Sequence, residues 1–189
     1  MATTEPIRNK GYVRELSEYY LKLGQLRNCC LIVLSIHTAL RVSDLLRLTW
    51  DDVYDFTRGK IRRHIAVTEK KTGKAKSIAL NKHAVYVLTL HARQSAKQGG
   101  ALIENARTDR PISRIQAYRI IRAAAEALGF ESRVSCHSLR KTFGYHAWKG
   151  GVSPAVIMEI YNHSSFSVTK RYLGVSQDDK DDAYLRLDF

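Results

Sequence analysis

Leu26-Arg27-Asn28-Cys29-Cys30-Leu31-Ile32-Val33-Leu34-Ser35-Ile36-His37-Thr38-Ala39-Leu40 is the stretch on which the fold turns. It is largely apolar and reads as a buried helix. Upstream, Val13, Leu16, Tyr20 and Leu23 fall on one side of an amphipathic helix over 12–23, ended by Gly24. Downstream, Ser43 is a good N-cap for a short helix through Leu48. Trp50-Asp51-Asp52-Val53 then breaks toward a loop.

Ile61–Thr68 and Lys76–Leu80 read as two strands joined through the Gly turn of Glu69-Lys70-Lys71-Thr72-Gly73-Lys74-Ala75, a hairpin. Asn81 caps a helix running to about Gln98. Ser113–Leu128 is a helix stopped by Gly129, and Ser138–Trp148 one stopped by Gly150-Gly151. Ser153-Pro154, a cap followed by a first-turn proline, opens a short helix. A last helix carries Val168–Leu173. The expected fold is mainly α with a small antiparallel β-sheet (α+β).

Lys plus Arg number 31 against 18 Asp plus Glu, a formal net charge of +13. That balance favours a polyanionic partner, usually nucleic acid, over the alternative of a basic protein with nothing bound. The three cysteines, Cys29, Cys30 and Cys136, lack zinc spacing and read as reduced core or near-core thiols of a cytosolic protein. No stretch approaches the ~20 apolar residues of a membrane span. Met1-Ala2-Thr3-Thr4-Glu5-Pro6 lacks a signal-peptide pattern. A protein that meets DNA inside a cell fits all of this, with no metal or cofactor expected.

The chemistry is carried by a few residues. A phosphodiester resists attack because charge builds on its non-bridging oxygens, and fixed cations there are the direct remedy. Arg suits the task, being always charged and bidentate toward phosphate. In a chain this basic an Arg taken alone is more often a solvated surface group. Arg41, however, follows the apolar helix and precedes Asp44, which can orient it. His137 and Arg140 are spaced i, i+3, so on a helix they meet one phosphate. A lone His at a helix start is otherwise a capping residue, and His163 alone is otherwise packed at a helix–helix turn.

Thr38-Ala39-Leu40-Arg41, His137-Ser138-Leu139-Arg140, Tyr161-Asn162-His163-Ser164 and Tyr172, nine residues after His163, together resemble the catalytic set of the tyrosine recombinases, the phage integrase family. The likeness spans roughly Arg27 to Leu173. It departs at Asp44, where the family usually has Glu, and at Tyr161-Asn162, where the usual pattern is Leu-Gly.

What the resemblance implies is a site-specific recombinase or integrase that uses neither metal nor ATP. Arg41, Arg140, His137 and His163 would bind and activate the phosphate. Tyr172 would be the nucleophile, with Tyr161 and Tyr184 as rivals, and the product a 3′-phosphotyrosine. A lysine of the hairpin would protonate the leaving 5′-oxygen. The Lys-Thr-Gly form points to Lys71, with Lys70 and Lys74 also present, although a run of eight basic residues from Arg58 to Lys76 also suits backbone phosphates.

The resemblance further implies double-stranded DNA at specific recombination sites, a homotetramer on DNA, accessory DNA-binding proteins and a bacterial or mobile-element gene. It divides the chain into an N-terminal extension (1–24), a catalytic domain (25–175) and a C-terminal tail (176–189) that docks in trans or folds back. A separate DNA-clamping domain is usual ahead of the catalytic domain; here a single helix precedes the matched region, so the chain is either a fragment or a naturally short member of the kind found among the fimbrial phase-variation invertases. Arg107, Arg110, Arg114, Arg119 and Arg122, with Gln116 and Tyr118, make either a groove-reading helix or a solvated basic face. An invertase-type or topoisomerase-like strand transferase, and a non-catalytic DNA-binding regulator, are the alternative readings.

Overall fold

A computed structural model describes residues 4–95 and 97–187. The first three residues of the segment read for a signal peptide lie outside them.

Ten helices and two hairpins occur in the described residues. They are α1 (Lys10–Lys22), α2 (Leu26–His37), α3 (Val42–Leu45), α4 (Trp50–Val53), β1 (Tyr54–Asp55), β2 (Lys60–Ile61), β3 (His64–Thr68), β4 (Ala75–Ala79), α5 (Lys82–Ser95), α6 (Arg114–Ala127), α7 (Cys136–Lys149), α8 (Pro154–Tyr161), α9 (Phe166–Leu173) and α10 (Gln177–Leu185). α2 is the central helix, buried continuously from Asn28 to Ile36 and packed on α1, α5, α6 and α7. Burial of its Leu, Ile and Val side chains contributes roughly 1.5–3 kcal/mol each. A second, smaller cluster of Ala39, Ile157, Tyr161 and Leu173 joins α7, α8 and α9. Cys29 and Cys30 are buried and free, and Cys136 is partly exposed and free.

Local chemistry explains where the elements depart from expectation. α3 is one turn, with Arg41 rather than Ser43 at its N-cap. Arg41 O already accepts from Leu45 N at 2.9 Å, and Leu48 O is drawn off to Leu102 N at 2.9 Å. Trp50–Val53 is a helix, not a loop, because Asp52 Oδ2 accepts from both Thr49 N and Thr49 Oγ1, at 2.7 and 2.8 Å. The strand expected over Ile61–Thr68 splits in two. Ile61 pairs with Tyr54, whereas Arg62 N turns to Val53 O at 2.8 Å. The second hairpin pairs Ile65 with Ile78 in antiparallel register.

α5 is capped by Asn81, whose Oδ1 accepts from Ala84 N, and ends at Ser95. Of the turn expected beyond it, Ala96 lies outside the described residues, and Lys97 and Gln98 are not helical. α7 begins two residues early because Ser135 and Ser138 cap it reciprocally. α10 was not expected from the sequence. Residues 4–8 lie against α7: Ile7 N donates to Thr142 Oγ1, and Lys141 Nζ donates to Thr4 O. Among the described residues no helix is long and apolar enough to cross a membrane.

Candidate active site

The site lies where the smaller cluster meets the hairpin. The first turn of α7 brings His137 to the rim of a cleft and drives Arg140 inward. Arg140 is 2% exposed. Its Nη1 donates to Ala39 O, and its Nη2 to Tyr161 O at 3.1 Å. Ala39 has φ +55°, a left-handed conformation that costs a residue with a Cβ about 1–2 kcal/mol and aims its carbonyl at the guanidinium. Nε of Arg140 is buried without a partner, a donor left over for an incoming acceptor.

Tyr172, on α9, has aromatic neighbours on several sides. Its ring centroid lies 5.0 Å from His137, 4.6 Å from His163 and 4.9 Å from Tyr161. The Arg140 guanidinium carbon is 5.9 Å from the same ring, and Lys141 Nζ is 5.8 Å from it. Arg41, Lys71, His137, Arg140 and Tyr172 all line one open cleft. The His163 ring lies against that of Tyr172, tilted by 60°. Thus the six residues singled out in the sequence converge, five on the cleft and one against its tyrosine.

The rivals separate. Tyr161 is fully buried, donates its hydroxyl to Arg140 O at 2.6 Å, and is held protonated by burial. Tyr184 is on α10, 77% exposed. Among the lysines, Lys71 is the one that lines the cleft, while Lys70 is bound through its backbone N–H to Asp44 Oδ1 at 3.0 Å.

One expectation about orientation is corrected. No hydrogen bond or ion pair joins Asp44 to the Arg41 guanidinium; Asp44 is turned to the hairpin backbone. Arg41 is instead held by Glu69, Nη1 to Oε2 at 2.6 Å. The sequence reading passed over Glu69, although it is the one acid in the basic run from Arg58 to Lys76. Burial pushes its carboxyl up, but the ammonium of Lys76 and the guanidinium of Arg41 prevail and hold it down at about 2. The departure at Tyr161-Asn162 also has a physical reading. Asn162 sits at φ +52°, ψ +42°, the left-handed conformation that glycine adopts freely and asparagine tolerates best of the rest. Tyr161 stacks on His163 at 4.9 Å with the rings 20° apart.

Burial, with Arg140 and Arg41 adding to it, lowers His163 to about 4. Desolvation first, then the charges of Lys141, Arg140 and Arg41, lowers His137 as well. Both imidazoles are neutral at pH 7. Nδ1 of His163 meets Thr169 Oγ1 at 3.1 Å, and Thr169 is buried. With that hydroxyl as donor, the imidazole proton sits on Nε2. No cluster of three or more His, Cys, Asp or Glu with metal-site geometry occurs among the described residues.

A mainly helical domain that sets two arginines, a hairpin lysine and a tyrosine flanked by histidines around one cleft has the architecture of a tyrosine recombinase catalytic domain. The sequence matches the Phage integrase family over residues 12–178, and the chain belongs to that family. It is 38% identical over 187 residues to the probable integrase/recombinase YoeC of Bacillus subtilis, covering 97% of each chain. With tyrosine recombinase XerD of Mycobacterium tuberculosis the identity is 30% over 154 residues, 78% of this chain and 47% of that one. It therefore spans nearly all of the Bacillus relative and about half of the mycobacterial one.

The crystal structure of XerA recombinase superimposes with a TM-score of 0.78 at 20% identity, covering 97% of this chain and 66% of that one. A lambda integrase dimer bound to a COC′ core site superimposes with a TM-score of 0.63 at 21% identity, covering 85% and 59%.

Proposed function

We propose that this chain cleaves and rejoins duplex DNA at specific sites through Tyr172. The observation that carries the reading is the convergence of Arg41, Lys71, His137 and Arg140 on the cleft that holds Tyr172, with the His163 ring against that of Tyr172. Tyr172 Oη attacks phosphorus. The bond to the 5′-oxygen breaks, leaving a 3′-phosphotyrosine and a 5′-hydroxyl. Neutral His137, edge-on to the Tyr172 ring, accepts the phenolic proton. Lys71 supplies a proton to the departing 5′-oxygen. Arg41, Arg140 and Nε2–H of His163 stabilise the charge on the non-bridging oxygens. Arg140 reaches the phosphate by exchanging a carbonyl partner or through its free Nε–H. The phosphotyrosine keeps the bond energy, so attack by a 5′-hydroxyl of the partner strand reseals the DNA without ATP.

The partner is double-stranded DNA, in keeping with the net charge of +13 and with DNA-bound solved relatives. We read the assembly as a homotetramer on paired sites, helped by accessory DNA-binding proteins, in the cytoplasm of a bacterium or on a mobile element. Residues 25–175 form the catalytic domain in this reading and 1–24 its N-terminal extension. The tail, 176–189, docks on a neighbouring subunit. Tyr184, Leu185 and Leu187, 77%, 80% and 66% exposed, offer the apolar contacts for that.

The test uses a nicked duplex carrying the end sequences of the DNA element that holds the gene. The expected result is a covalent protein–DNA adduct with that duplex and none with a scrambled one. Relaxation of any supercoiled plasmid regardless of sequence would favour the topoisomerase-like reading. A gel shift without adduct on any substrate would favour the regulator.

A further inference from the structure

The deepest charged group of the site belongs to no part of the reaction described above. Glu69, fully buried at the end of β3, joins three separate pieces of the chain. Oε2 accepts from Arg41 Nη1 at 2.6 Å and from Thr72 Oγ1 at 3.0 Å. Oε1 lies 3.0 Å from Lys76 Nζ, on β4. Lys76 Nζ in turn donates to Ile160 O at 3.3 Å, in the last turn of α8 just ahead of His163. One carboxylate thus ties the arginine after α2, the Lys71 loop and the His163 turn into a single frame.

The charge balance gives this frame its meaning. Arg41, Arg140 and Lys76 face one another here from the α2–α3 connection, α7 and β4, with His163 alongside. Like charges this close repel, and in a partly dry site the repulsion is several times what it is in water. A carboxylate in their midst lets the arginines stay in register before DNA arrives. One N–H of Arg41 is used for this, leaving its others for a phosphate.

We infer that Glu69, acting with Lys76, is a positioning residue for strand cleavage: it holds Arg41, the Lys71 loop and the His163 turn in their working geometry. The inference rests on the strand-transfer reading. It adds two residues that touch neither the phosphate nor the nucleophile. A displacement of ~1 Å at a reacting group costs about 10²-fold in rate, which sets the expected effect.

The experiment is single-turnover cleavage of the nicked duplex at saturating protein, with the dissociation constant measured in parallel and a thermal melt of each variant. Glu69→Gln slows cleavage about 10²-fold, and its DNA affinity is unchanged or tighter, because a negative charge has left a basic cleft. Lys76→Met placed on Glu69→Gln recovers part of the rate by removing the uncompensated cation. The pH profile moves as well. Glu69 favours the charged form of Lys76, whereas burial, Arg140 and Arg41 oppose it. Without Glu69, Lys76 loses its proton at lower pH, so Glu69→Gln regains part of its lost rate as the pH rises, whereas the wild type shows no such recovery.

Wild-type rate in Glu69→Gln overturns the inference, as does a parallel loss of rate and affinity. If Glu69→Gln does not fold, Lys76→Met alone decides: slowed cleavage supports the frame, wild-type cleavage overturns it. Failure of the wild type to form any adduct is a different result, and sinks the strand-transfer reading itself.

Discussion

Gly144→Ala tests whether the floor of the site is as tightly built as it looks. Gly144 lies inside α7, where alanine normally stabilises a helix by roughly 0.5–1 kcal/mol. Here the added Cβ would stand 2.5 Å from Tyr161 Oη, 2.9 Å from Cε2 and 3.1 Å from Cζ. The ring has nowhere to go. Its hydroxyl is bonded to Arg140 O at 2.6 Å, the Arg140 guanidinium lies 4.5 Å from its centroid, and His163 stacks on it at 4.9 Å. Overpacking of a fixed core costs about 1–3 kcal/mol, and the clash here belongs at the upper end. A weakened hydroxyl–carbonyl bond adds up to ~1 kcal/mol. Set against the helix gain, the net loss is about 2–3 kcal/mol, a Tm lower by roughly 4–12 °C for a chain of this size. Because the same ring touches Arg140, His163 and Tyr172, cleavage falls with it, about 10²-fold for ~1 Å of displacement. The assay is a thermal melt alongside single-turnover cleavage. Tyr161→Phe removes the closest atom of the clash, so the double variant loses less than the sum of the two singles. A raised Tm with wild-type cleavage in Gly144→Ala would refute the reasoning, since the ring would then be free to move.

Lys71→Ala is expected to slow cleavage about 10²–10⁴-fold on an ordinary duplex and to recover on one whose leaving atom is a 5′-sulfur, which needs no proton; Lys74→Ala leaves the rate nearly unchanged on both. His163 and His37, each held near 4 by burial, are neutral when folded and titrate at about 6.5 when unfolded. Protons therefore bind the unfolded chain first, and melting temperature falls as the pH drops from about 6.5 to about 4; His163→Gln flattens part of that slope. Cleavage proceeds at full rate in excess chelator, because fixed cations bear the charge on the phosphate; loss of activity that added Mg²⁺ restores would contradict this.

Much of the fold could be read because its signals are local. The apolar run from Leu26 marks the central helix, Gly24 and Gly129 stop helices, and the Gly73 turn makes the hairpin. Boundaries shifted where a distant backbone group intervened, as when Leu102 N takes Leu48 O and shortens α3. α10 escaped notice because Gln177–Leu185 has no apolar face; the reciprocal Ser176–Asp179 cap and an Asp179–Lys149 ion pair hold it instead. In the site, residues bearing the reactive groups were legible from order and spacing. Their supports were not. Glu69 meets Arg41 across 28 residues of chain, and Tyr161 meets Arg140 across 21. Such partners are fixed by tertiary packing, and only the oddity of one acid among eight bases pointed to Glu69.

The central claim is that Tyr172 attacks the phosphate. Its most direct test is to trap the covalent complex on the nicked duplex, digest it, and locate the DNA-bearing peptide, in the wild type and in Tyr172→Phe. The account predicts a wild-type adduct on the peptide containing Tyr172 and no adduct in the variant. An adduct that survives in Tyr172→Phe, or one mapped to Tyr161 or Tyr184, would contradict it.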